Sequence, residues 1–255
     1  MAESGYRRVL LKLSGEALAG GGHFGLDVPT LSLVAEKIAA AHAVCPEMAI
    51  VVGAGNFVRG ASVSRDGGGM QRVTADYAGM LATVINSLAL QDSLERVGLS
   101  VRIQSAIDIQ RVAEPFFQRQ ALQHLKEGRI VIFAAGTGNP YMTTDTAAAL
   151  RAIEIEAQAL LMVKNKVDGV YEADPAKDAG ARRFVTLSYM DALSRRLKVM
   201  DSTALTLCLE RSLPIVVFDL LAPESIARAA RGEKIGTLVG DIPTAMADSQ
   251  PSPSS

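Results

Sequence analysis

The chain reads R-I-V-I-F-A-A over residues 129–135, G-T-G-N-P-Y-M-T-T-D over 136–145 and T-A-A-A-L-R-A-I-E-I-E-A over 146–157. The first run is apolar and β-branched, the second polar and glycine-containing, the third rich in alanine. A buried strand, a loop and a helix are expected in that order. Such a loop can turn backbone N–H groups, threonine hydroxyls and the positive end of the helix toward a ligand over the strand ends, which suits a small anion or a nucleotide. The plainer reading is an ordinary strand-to-helix turn, with Asp145 in the first helical turn complementing the macrodipole.

Working outward, short apolar runs at 8–13, 48–52, 99–103, 159–163, 214–218 and 237–239 join 129–133 as candidate strands. Helical patterns lie between them at 29–42, 74–97, 115–127, 144–157, 189–195, 202–211 and 224–231. Strands separated by helices predict an α/β fold with a mainly parallel sheet covered on both faces. The longest helix is unusually apolar, which fits either core burial or a subunit interface. A soft boundary is expected near Asn165, where V-D-G-V-Y-E-A-D-P begins turn chemistry. Residues 241–255, ending in S-Q-P-S-P-S-S, are expected to form a disordered tail.

Composition narrows the function classes. With 26 basic against 27 acidic residues in 255, and both signs spread along the chain, no basic stripe points to nucleic acid or to an anionic membrane. Cys45 and Cys208 stand far apart without metal-ligand or disulfide spacing. The first residues lack a sustained apolar segment and a cleavage site, so a soluble, cytoplasmic protein is expected.

Three further segments could carry chemistry. Lys12 lies near the end of the first strand with Ser14 and Gly15 behind it, where an ammonium and close backbone donors can meet phosphate. In V-V-G-A-G-N-F-V-R-G, Gly53 and Gly55 flank Ala54, and Arg59 can grip an anion through its guanidinium fork. Asp76, near the expected start of the long helix, can accept from a ribose hydroxyl or serve only as a helical acid. Asn165, Tyr171 and Asp174 can frame a purine and its sugar, or form a structural hairpin. The spacing fits neither a Walker A loop nor the dinucleotide fingerprint. Of His23, His42 and His124, only His23 falls in one of these loops, which leaves a histidine-based triad unsupported.

The motifs K-L-S-G-E-A-L, G-A-G-N-x-x-R-G, A-D-Y-A-G-M-L-A-T, A-A-G-T-G-N-P-Y-M-T-T-D, K-V-D-G-V-Y-x-A-D-P and L-K-V-M-D follow one another between Arg8 and Val239. Together they resemble the bacterial-type UMP kinases of the amino acid kinase family. The resemblance implies a three-layer α/β/α sandwich in one domain over residues 1–240, with an acceptor lobe to about 164 and an ATP lobe beyond. It implies a homohexamer that moves the γ-phosphate of Mg-ATP to UMP within pyrimidine nucleotide biosynthesis, activated by GTP and inhibited by UTP. Carried over residue by residue, Lys12, Leu13, Ser14, Gly15, Gly55, Arg59, Asn165, Tyr171 and Asp174 fall on the ATP side. Ala54, Asp76, Thr137, Gly138, Asn139, Pro140, Tyr141, Met142, Thr143 and Thr144 fall on the UMP side. The GTP-responsive segment falls on Gly20, Gly21, Gly22, His23, Phe24 and Gly25. Lys12 and Arg59 are expected as cations on the transferring phosphoryl, with Asp145 orienting Lys12. Magnesium is expected to ride mainly on the ATP phosphates, so no protein ligand is named for it.

Two positions depart from the family pattern: Ala54 replaces a usual glycine, and Asn165 stands where a threonine is found. The competing readings are a related kinase with a carboxylate acceptor, such as aspartate, acetylglutamate or carbamate, and a non-catalytic nucleotide- or anion-binding protein of the same fold.

Overall fold

The computed structural model describes residues 5–22, 24–58, 69–165, 167–178 and 180–247. The strands are β1 (Arg8–Leu13), β2 (Glu47–Val52), β3 (Val101–Ser105), β4 (Glu114–Pro115), β5 (Ile130–Ala134), β6 (Ala159–Lys164), β7 (Phe184–Ser188), β8 (Ile215–Asp219), β9 (Thr237–Gly240) and β10 (Ala245–Met246). They form one sheet in the order β10-β7-β9-β8-β6-β1-β2-β5-β3-β4. Every pairing is parallel except β8 with β9 and β10 with β7.

The helices are α1 (Val28–His42), α2 (Arg72–Arg96), α3 (Gln118–Lys126), α4 (Thr144–Glu154), α5 (Tyr189–Ser194), α6 (Ser202–Glu210) and α7 (Ser225–Ala230). Helices α1, α2 and α7 cover one face of the sheet, and α3 to α6 cover the other. Period-two alternation sorts the strand residues between these layers: Val9, Leu11 and Leu13 enter the first core, and Leu10 enters the second. Strand β2 is buried at every residue, including Glu47, which Arg7 and Arg8 neutralise through charged hydrogen bonds of 2.7 Å each. Central strands therefore read as continuous apolar runs, as the sequence suggested.

The differences from the sequence reading lie at edges and ends. Helix α2 begins at Arg72, so Asp76 stands a full turn inside it and not in the first turn. Helix α3 starts later than expected because Glu114–Pro115 pairs with the end of β3. Strand β7 was not foreseen, because F-V-T-L-S lacks regular alternation: Phe184 and Leu187 are buried three positions apart and Val185 is exposed. Residues 241–247, placed in the expected disordered tail, instead carry β10: Ala245 and Met246 pair with Thr186 and Phe184. Thr186 Oγ1 donates 2.7 Å to the Pro243 carbonyl, which ties this segment down further.

Helix α2 is the one described helix long and apolar enough to cross a membrane by length and composition. It also buries Thr83, Asn86 and Ser87 against the domain, and Val73, Tyr77, Leu81, Ile85 and Leu88 form an exposed stripe at helical spacing.

Candidate active site

The site gathers at the carboxyl ends of β1, β2, β5 and β6, where a parallel sheet leaves its crevice. Lys12, one residue before the end of β1, shares its face with Leu10, and Lys164, at the end of β6, shares its face with Leu160 and Met162. Both lysines therefore project on the side covered by α4. There the Lys12 ammonium sits 2.7 Å from Asp145 Oδ1, with both side chains mostly buried. Thr143 caps α4 by accepting from the N–H groups of Asp145 (3.1 Å) and Thr146 (3.2 Å), which fixes where Asp145 points. Lys164 donates 2.9 Å to the Val199 carbonyl. Burial lowers its pKa; Asp145 acts against that shift and Lys12 reinforces it, so the three groups form one electrostatic cluster.

The glycine loops bring backbone to the same place. A Cβ on Gly15 would meet Asn56 Oδ1 at 2.4 Å, the Gly53 carbonyl at 2.7 Å and the Gly55 nitrogen at 2.8 Å, so residue 15 must be glycine for the two loops to touch. Buried Asn56 and Asn86 exchange hydrogen bonds of 3.0 and 2.8 Å, and Asn86 Nδ2 also holds the Gly53 carbonyl at 2.7 Å. This amide pair ties the second glycine loop to α2.

The polar loop after β5 has an unusual backbone. Ala135, Gly136, Gly138 and Tyr141 all have φ between 60° and 78°, and Thr83 Oγ1 holds the strained Ala135 by accepting its N–H at 2.7 Å. Asp76 accepts from the Tyr141 N–H at 2.8 Å and from Arg72 Nε at 2.9 Å, while the Arg72 guanidinium lies 5.4 Å from the Tyr141 ring centre. Between this loop, α2 and the second glycine loop lies a cavity of about 290 Å³, walled by Ala54, Gly55, Asp76, Thr137, Asn139 and Thr144 among others.

A larger cavity of about 710 Å³ lies beside Lys12 and includes Ser14, Lys164, Asn165 and Gly20 to Gly22 in its wall. Among the described residues, Asn165 Oδ1 is buried without a hydrogen-bond partner. Tyr171 and Asp174 line a third cavity of about 290 Å³, together with Arg195, Leu197 and Lys198.

A model of the family described as "Amino acid kinase family" matches residues 7–219. The chain belongs to the amino acid kinase family. Among solved structures, it is similar to UMP kinase from Bacillus anthracis, with 37% identity, a TM-score of 0.91, and coverage of 96% of this chain and 100% of that one. UMP kinase from Ureaplasma parvum is 35% identical with a TM-score of 0.85, over 92% of this chain and 98% of that one. Uridylate kinase from Archaeoglobus fulgidus is 28% identical with a TM-score of 0.71, over 91% and 100% respectively.

Within this amino acid kinase fold the expected site residues are not all in one cavity. Lys12 and Asp145 meet as anticipated. Ala54, Asp76, Thr137, Asn139, Met142, Thr143 and Thr144 line the smaller cavity beside α2, and Gly55, expected on the ATP side, lines it too. Gly138 and Tyr141 instead shape the loop backbone. Leu13 is fully buried in the core, and its carbonyl accepts from the Gly53 N–H at 2.9 Å. Asn165 lines the larger cavity and Tyr171 and Asp174 line the third, with Val167 in the wall of both. The Tyr171 hydroxyl donates 2.6 Å to Asp168, and burial with that carboxylate pushes its pKa up to about 12. The Asp174 carboxylate accepts from the Ala176 N–H at 3.1 Å, closing its own turn. Arg59 and His23 lie outside the described residues. Sequence reasoning missed Lys164, although A-L-L-M-V-K places its lysine on the same strand face, and near the same strand end, as Lys12 in R-V-L-L-K-L.

Proposed function

We propose that this chain is a UMP kinase: an oxygen of the UMP phosphate attacks the γ-phosphorus of ATP, the β–γ bridge breaks, and UDP and ADP result. The observation that carries this reading is the Lys12–Asp145 pair, set between the cavity walled by the polar loop and the cavity holding Ser14 and Asn165. Phosphoryl transfer depends on alignment and on stabilising charge that moves between phosphates. Two strand-end ammonium groups, one held by Asp145 and one by a backbone carbonyl, suit that requirement without a strong general base. Kinship with the UMP kinases supports UMP as acceptor and ATP as donor.

The donor set fits magnesium carried by the nucleotide. Among the described residues no three acidic, histidine or cysteine side chains converge, and Asp145 already faces Lys12. Bound in that way, magnesium would neutralise phosphate charge, while the protein orients the triphosphate.

The same reading includes regulation by GTP and UTP, in a cytoplasmic homohexamer serving pyrimidine nucleotide synthesis. Gly20 to Gly22 wall the cavity beside Lys12, so a ligand touching that segment would act close to the reacting phosphates. The exposed α2 stripe supports self-association. An ADP-release assay with UMP, CMP, dUMP, aspartate, acetylglutamate and no acceptor tests the activity. UMP is expected to give the fastest release; a carboxylate acceptor outpacing it, or no acceptor-dependent release, overturns the reading.

A further inference from the structure

The motif L-K-V-M-D, at residues 197–201, enters the transfer chemistry proposed above only through the backbone carbonyl that holds Lys164, yet its residues reach three parts of the site. Leu197 and Lys198 line the cavity of Tyr171 and Asp174. The Val199 carbonyl accepts from Lys164 at 2.9 Å. Asp201 Oδ1 accepts from the Ala204 N–H at 2.9 Å and caps α6, while Oδ2 accepts from the Thr143 hydroxyl and from Thr146 Oγ1 at 3.0 Å. Thr143 is the residue that caps α4 and fixes Asp145. One short segment thus joins the wall of the Tyr171 cavity, the second lysine and the helix end that orients the first lysine.

We propose that residues 197–201 couple donor-nucleotide binding to the acceptor loop, with Asp201 as the positioning residue that carries the coupling. The proposal rests on the kinase reading, specifically on ATP entering the cavity of Tyr171 and Asp174. The carboxylate offers acceptors only, so both threonine hydroxyls spend their protons on it. The Thr143 oxygen is left to receive the N–H groups of Asp145 and Thr146, so movement of Asp201 moves the cap, and with it Asp145 and Lys12. A nucleotide pressing on Leu197 and Lys198 would hold Asp201, and so order the N-terminus of α4 before any acceptor arrives.

Asp201→Asn isolates the link. Its amide oxygen can keep the α6 cap, whereas its NH₂ would face Thr143, whose oxygen already accepts from two N–H groups. The experiment is amide hydrogen exchange on the full chain with and without a non-hydrolysable ATP analogue, requiring no UMP. In the unmodified protein the analogue is expected to slow exchange at residues 169–174 and, by about fivefold or more, at Asp145 and Thr146. Asp201→Asn should retain the first effect and lose the second, and Thr146→Val should lose part of it. A purely structural role would raise exchange equally with and without analogue and leave their ratio unchanged. Slowing at Asp145 and Thr146 that survives in Asp201→Asn, or that is missing from the unmodified protein while residues 169–174 are protected, overturns the coupling and leaves the kinase reading intact. No protection anywhere overturns both.

Discussion

The two halves of the sheet differ in how they are built. From β1 through β2, β5, β3 and β4 every pairing is parallel and the central strands are buried on both faces. Beyond β8 the sheet mixes directions and ends in short strands with exposed residues. The first half holds its ligand-facing loops by close backbone approach, as at Gly15 against Gly53 and Gly55. The second relies more on side chains reaching across gaps: Thr237 Oγ1 accepts from the Val170 N–H at 2.9 Å and donates 2.5 Å to the Phe184 carbonyl. Under the kinase reading proposed above, the first half faces the acceptor and the second faces the donor nucleotide.

Substitutions in each half can break or sharpen that contrast. Lys12→Ala, at the junction, should have the largest effect: a loss of about two to four orders of magnitude in kcat with UMP binding nearly unchanged, because the ammonium acts on charge that develops in the transition state. Steady-state kinetics with an independent UMP titration checks this, and a kcat within about tenfold of the parent would remove Lys12 from the catalytic role. Next comes Asp76→Asn on the acceptor side. The charged acceptor holding Tyr141 and Arg72 is lost, so KM for UMP should rise by an amount equivalent to about 1.5–3 kcal/mol, with weaker discrimination against dUMP. Unchanged KM and UMP/dUMP ratio would make Asp76 only a helical acid.

Thr237→Val probes the donor side. It leaves the Val170 N–H and the Phe184 carbonyl without their shared partner in a fully buried position, at a cost of about 1–3 kcal/mol in stability. KM for ATP should rise more than KM for UMP; equal changes in both would show that the two halves respond as one body. The smallest effect is expected at Ala54, which is half-buried in the wall of the acceptor cavity. Ala54→Gly should bind UMP as well as the parent or better, and Ala54→Val more weakly, because its branched side chain enters the space beside the loop. A valine variant that melts early but binds UMP normally would mean that residue 54 acts through packing, at ~1–3 kcal/mol.

Legibility followed burial and locality. Strands β1, β2, β5 and β6 were readable because a strand covered on both faces must be apolar along its length. The α4 terminus was readable because capping by Thr143 and the placement of Asp145 depend on neighbours within one turn. Strand β10 was not, since pairing at an open edge asks little of a side chain, and neither was β7, whose burial between β9 and β10 is irregular along the run. Asp76 was misplaced within its helix because Gln71, at the N-cap, makes no side-chain capping bond to mark the start.

The sequence determined the α/β alternation and the loops that face the crevice through periodicity and local motifs, and its resemblance to the family supplied the family and the pairing of Lys12 with Asp145. Only the tertiary structure decided that Lys164 joins them, that the cavities of Asn165 and Tyr171 share Val167 as a wall, and that Asp201 reaches Thr143 and Thr146 across more than fifty positions of chain. The reason is physical: strand order and helix packing set which distant side chains meet, and residue spacing along the chain does not encode that distance.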